Sequence, residues 1–168
     1  MTISQVRYYN VTKTFDELLE IRRSALPYMQ WGYVDANGKY VDLLDTSVEL
    51  SVVDGTKDIS KNERALIITN AVVGSEMVFT NGGITWSSIP LTSYDYWWRA
   101  SATAAWVHYG YDGTNVYTNG VLTGSLPVTV TTTGFSGVTG TMVGLRVYSE
   151  VKAAAFFLDR YTKYRMFL

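Results

Sequence analysis

The chain has 168 residues, with 14 Lys and Arg against 15 Asp and Glu, and only 17% of its residues are charged, below the roughly 25% of an ordinary soluble domain. A net charge of −1 offers no basic excess to neutralise phosphates, which argues against nucleic-acid binding by a charged face. The absence of cysteine excludes disulfides, zinc–thiolate sites and thiol nucleophiles. No segment approaches the ~20 consecutive apolar residues of a membrane helix.

The length fits a single domain over 1–168, burying about 70% of its unfolded surface. The opening MTISQVRYYN has neither the basic nor the apolar region of a signal peptide. Residues 1–13 read as an arm or edge strand, with Val6, Tyr8 and Tyr9 as candidate assembly contacts. Thr14-Phe15-Asp16-Glu17 has the form of a capping box. Phe15, Leu18, Leu19 and Leu26 follow at helical spacing, and Pro27 ends the run. This predicts a short amphipathic helix over 14–26.

Turn signals dominate the rest. Asn37-Gly38, Asp54-Gly55, Asn81-Gly82, Asp112-Gly113 and Asn119-Gly120 all suit tight hairpin turns, because their residues tolerate positive φ. Period-two segments lie between them. Val48, Leu50 and Val52 share one face, as do Tyr94, Tyr96 and Trp98 opposite Asp95, Trp97 and Arg99. Ala65–Val73 and Met77–Thr80 read as strands, Val128 and Val130 alternate with threonines, and Val143, Leu145 and Val147 share a face. The Thr- and Gly-rich stretch from Thr131 to Thr141 reads as a long loop or irregular edge. Residues 151–168 fit helix or strand, and their aromatic content favours strand from about Ala155. The class expected is all-β, an antiparallel sandwich of jelly-roll or concanavalin A-like type with one short N-terminal helix.

Catalytic motifs are missing from this pattern. The one histidine, His108, lies on an expected strand, where a structural or surface role is the ordinary one. No GxSxG elbow, P-loop, dinucleotide fingerprint or EF-hand pattern occurs. Asp42 with Asp45, and Asp54 with Asp58, are close in sequence without resembling a glycosidase pair. The glycines are explained by hairpin turns, and the basic cluster from Arg160 to Arg165 reads as a solvated face. No catalytic residue, metal ligand or cofactor site is therefore expected.

One stretch carries a family resemblance. Trp106-Val107-His108-Tyr109-Gly110-Tyr111-Asp112-Gly113, followed by Val116-Tyr117-Thr118-Asn119-Gly120, resembles a hairpin of concanavalin A-like (laminin G-like) sandwiches. Val143-Gly144-Leu145-Arg146 resembles the next inner strand, and Phe157-Leu158-Asp159-Arg160-Tyr161 the closing strand. The stretch between Asp112-Gly113 and Tyr117 is short for that hairpin, the N-terminal half has no counterpart, and the E-x-D-x-x-E catalytic strand of the glucanase members is missing. The resemblance implies a two-sheet sandwich and glycan or protein binding, without hydrolase activity. Trp97 and Tyr111 are the candidates for stacking on a sugar face.

In composition the chain also resembles small bacteriophage virion proteins, which are cysteine-free, β-dominated and rich in Thr, Gly and Tyr. That likeness implies a non-enzymatic head decoration, neck or tail protein, assembled in the host cytoplasm into the virion. Its partners would be other virion proteins and copies of itself, with Tyr164, Phe167 and Leu168 as a second set of contacts. Binding to glycans as a lectin-like module is the alternative.

Overall fold

A computed structural model of the chain describes residues 12, 14, 32–34, 40–42, 46–52, 57–60 and 62–164. The expected arm (1–13) and helix (14–26) lie outside these residues, apart from Thr12 and Thr14. The described chain is mostly antiparallel β-structure. Strands β1 (Gly32–Val34) and β2 (Tyr40–Asp42) pair with each other on either side of Asn37-Gly38 in the sequence. The remaining strands form one eight-stranded sheet. They are β3 (Val48–Val52), β4 (Ile67–Val73), β5 (Met77–Thr85), β6 (Ser93–Arg99), β7 (Val107–Tyr111), β8 (Val116–Thr118), β9 (Val121–Leu122) and β10 (Gly134–Tyr148). The sheet order is β4-β5-β10-β6-β7-β8-β9, with β3 also paired to β10.

The axle of this sheet is β10, 15 residues long. On one side it pairs first with β5, over Gly134–Met142, and then with β3, over Leu145–Tyr148. On the other it pairs with β6 over Thr141–Tyr148. Its first half is the stretch expected to be a loop. The Gly134, Gly137 and Gly140 φ angles are all positive, so the strand is built from bulged backbone that hides its alternation. At Gly140 any side chain would collide with the Trp98 ring. Asn81-Gly82, expected to be a turn, likewise lies within β5, where Asn81 takes φ 47° beside a register shift. Asn119-Gly120 does form the tight turn between β8 and β9, with φ of 49° and 78°.

Core side chains from both flanks of β10 meet in one large cluster. Leu50, Met77, Phe79, Ile84, Tyr94, Tyr96, Trp98, Met142, Leu145 and Val147 belong to it. Val143 does not share the face of Leu145 and Val147. A register shift between Val143 and Arg146, with Gly144 at φ 66°, turns it to the opposite side, against Trp97 and Ile59. Val128 and Val130 are buried in the main cluster although they lie outside any strand. The Tyr96 hydroxyl holds Val128 there: it accepts from the Val128 N–H at 3.0 Å and donates to the Val128 carbonyl at 2.7 Å.

The C-terminal segment is a helix, α1 (Ala154–Tyr164), rather than the expected strand. Phe157, Arg160 and Tyr161 fall at i, i+3 and i+4, and these face inward, while Ala155, Leu158, Asp159 and Thr162 are exposed. The alanines favour helix, and burial of that stripe overrides the strand preference of the aromatics. The fragment from Phe157 to Tyr161 is thus helical, not a closing strand.

Candidate functional site

Strand β6 reads SYDYWWR. Because its side chains alternate, sending Tyr94, Tyr96 and Trp98 into the main cluster turns Asp95 and Trp97 to the other face. Helix α1 covers that face. The approach is close at Gly110 of β7, where a Cβ would overlap the Phe157 ring. Gly110 is therefore required by helix packing, not by a turn. Gly110→Ala is expected to push α1 outward and cost about 1–3 kcal/mol, the usual range for overpacking. Denaturant melts check this, and a loss below about 0.5 kcal/mol would refute the tight contact.

Beneath the helix, three side chains converge on the Asp95 carboxylate. Oδ2 accepts from His108 Nε2 at 2.8 Å and from Arg160 Nε at 2.6 Å, and Oδ1 accepts from the Tyr148 hydroxyl at 2.6 Å. One residue each from β6, β7, β10 and α1 is thereby tied to a single group. Asp95 and His108 are both 0% exposed. Arg146 stands opposite Asp95 in the ladder, with its guanidinium 5.6 Å from the Tyr148 ring centre. The Lys152 ammonium lies 5.0 Å from the same ring and 2.8 Å from Glu150. Asn119 brackets His108 from the neighbouring turn, its Oδ1 accepting from the His108 N–H at 2.9 Å.

The electrostatics follow from this packing. Burial alone would raise the Asp95 pKa, but the Arg160 charge and the bonds from His108 and Tyr148 outweigh it and hold the carboxyl well below the usual range. Burial also dominates at His108. It lowers the imidazole pKa against the pull of Asp95, and Arg160 adds in the same direction. The imidazole is then neutral, and an ionised Asp95 assigns its proton to Nε2. Burial pushes the Tyr148 phenol well above 10. Among the described residues the centre sets the Asp95 carboxylate against the Arg160 guanidinium, with Arg146 beside the Tyr148 ring and a neutral imidazole and phenol as donors. Its chemistry is to fasten α1 to the sheet.

The residues singled out in the sequence are not brought together here. Trp97, expected to offer a stacking face, is 1% exposed and packs on His108 and Tyr161 at ring distances of 5.0 and 5.9 Å. The β6 alternation puts it on the inner face that α1 covers. Tyr111 is half-buried on the opposite face of the sheet, tilted against Tyr94 at 5.2 Å, with its hydroxyl donating to the Gly113 carbonyl. The two cannot form one platform. Val6, Tyr8, Tyr9, Phe167 and Leu168 lie outside the described residues, and Tyr164 is described only as the last residue of α1. Arg160, expected on a solvated face, is buried.

Sequence reasoning missed Asp95, Tyr148 and Arg160 as a group. The available signal was a lone carboxylate inside an aromatic strand, joined to an arginine three residues after a phenylalanine. The chain matches no protein-family model, no curated protein and no solved structure.

Proposed function

We propose that the chain is a non-enzymatic structural component of a virus particle, a bacteriophage head decoration, neck or tail protein built on a β-sandwich. The observation that carries this reading is the distribution of polar and apolar groups. The one carboxylate–imidazole pair is sealed beneath α1, whereas exposed apolar side chains sit on two strands that end the sheet, β4 and β9. Ile67 and Val72 project from β4, and Val121 and Leu122 from β9. Apolar edges of this kind suit a protein whose strands meet those of neighbours. Low charge and abundant tyrosine support the same role. The glycan-binding alternative draws no support from Trp97, whose ring is buried.

Native gradient sedimentation of the chain from its source, with identification by mass spectrometry, tests the proposal. Migration with a megadalton-sized particle is expected, and the copy number per particle then separates head decoration from tail parts. Recovery as a free monomer or small oligomer would overturn it.

A further inference from the structure

Three strands end the ladders of the large sheet among the described residues, and they differ in protection. The outer edge of β3 is covered: the Ser51 N–H donates to Asp58 Oδ1 at 2.9 Å, and its carbonyl accepts from the Ile59 N–H at 2.8 Å. Strand β9 has only two residues. Strand β4 has seven, and its outer edge pairs with no described strand. Edges are ordinarily guarded by lysine, proline or inward charge. From Ala65 to Ser75 there is no charged residue and no proline. Ile67 is 66% exposed and Val72 74%, with Val78 beside Val72 on β5.

The order of faces along β4 points to its partner. Asn70, at φ 49° where the register with β5 shifts between Thr69 and Ala71, interrupts the alternation of β4. Ile67, Thr69, Asn70 and Val72 face outward, while Leu66, Ile68, Ala71 and Val73 are half-buried. This order reads identically in both directions from the midpoint between Thr69 and Asn70. In an antiparallel pair of two such strands, related by a two-fold axis at that midpoint, Ile67 meets Val72 and Ile68 meets Ala71. Leu66 then meets Val73, and Thr69 meets Asn70. Every position faces its own chemical kind on its own side of the sheet, and no like charges oppose. The irregular position Asn70 lies next to the axis, leaving the straight halves on either side to pair.

We infer that β4 pairs antiparallel with β4 of a second copy, joining two sheets across a two-fold axis. This rests on the assembly reading and names its partner and edge. Analytical ultracentrifugation of the full chain is expected to show a dimer. Val72→Lys, at a solvent-exposed side chain, is expected to give monomer with an unchanged far-ultraviolet circular dichroism spectrum. A double variant, Ile67→Cys with Val72→Cys, introduces the chain's only cysteines. Oxidation is expected to link Cys at 67 of one copy to Cys at 72 of the other. Opposed strand positions lie about 4.5–5.5 Å apart, within disulfide reach, whereas the two positions within one strand are roughly 16 Å apart.

A monomeric wild-type chain, a dimer that survives Val72→Lys, or a dimer without the 67–72 cross-link would each overturn the inference. If the chain from its source still migrates with a particle, such a failure removes only the β4 pairing. A confirmed β4 dimer alongside free chain from the source would instead remove the virion reading.

Discussion

Asp95→Asn is expected to lower the unfolding free energy by about 3–5 kcal/mol, the range for breaking a buried ion pair by removing one partner. The amide is close in size to the carboxylate, so packing changes little. Its oxygen can still accept from Arg160 and His108 in place of Oδ2, and its NH2 can donate to the Tyr148 oxygen in place of Oδ1. What disappears is the buried negative charge opposite the Arg160 guanidinium, whose side chain is almost fully buried. A domain of this size has a total stability of about 5–15 kcal/mol, so the variant loses a large fraction of it. Arg160→Met is expected to be costly for the reciprocal reason. The double variant should lose less than the sum of the two, because both charges leave together. Chemical denaturation of the four proteins measures this. A loss below about 1 kcal/mol for Asp95→Asn, or strict additivity in the double variant, would show that the two charges do not act as a pair.

Acidification from neutral pH is expected to destabilise the fold in two stages. His108 comes first. Its folded pKa lies below the ordinary 6.5, because burial disfavours the imidazolium. As pH falls below about 6.5 the unfolded chain binds a proton that the folded chain refuses, so stability declines, with a slope of at most ~1.4 kcal/mol per pH unit for one proton. Asp95 follows. Its folded pKa is depressed, so its contribution is complete above the ordinary carboxyl range and is lost as pH falls below about 4. Burial, then Asp95 from β6 and Arg160 from α1, set this behaviour. Protonation of His108 would place a second buried cation beside Arg160 on one carboxylate.

The chain contains a single histidine, so the first stage is attributable. His108→Gln is expected to flatten stability between pH 7.5 and 5, whatever its own cost at neutral pH. An imidazole that titrates near 6.5 in the folded protein by NMR would contradict this assignment. The alkaline limb has the opposite cause. Burial pushes the Tyr94 phenol up to about 12, and those of Tyr96 and Tyr148 are also raised. Their folded forms keep protons that the unfolded chain releases above about 10, so stability falls as pH rises past that point.

The strands of the middle of the chain were legible because their signal is local. Alternation in SYDYWWR set its two faces, and Asn119-Gly120 marked its turn, since both depend on backbone geometry within a few residues. The mostly antiparallel β-structure followed from the same short-range pattern. The longest strand was hidden, because Gly134, Gly137, Gly140 and Gly144 take positive φ and shift the alternation that would reveal it. Only pairing with β5, β3 and β6 holds that backbone extended. The same limit explains the C-terminal segment. Residues 154–164 carry helical and strand periodicities together, and the choice fell to whichever stripe could be buried. A face of the sheet bearing Asp95, His108, Trp97 and the open space above Gly110 fitted Phe157, Arg160 and Tyr161 of a helix. The sequence by itself determined which residues could alternate, turn and carry charge. The tertiary structure decided which charge went inside, because a carboxylate can be buried only where distant donors meet it, and His108, Tyr148 and Arg160 stand 13, 53 and 65 residues away.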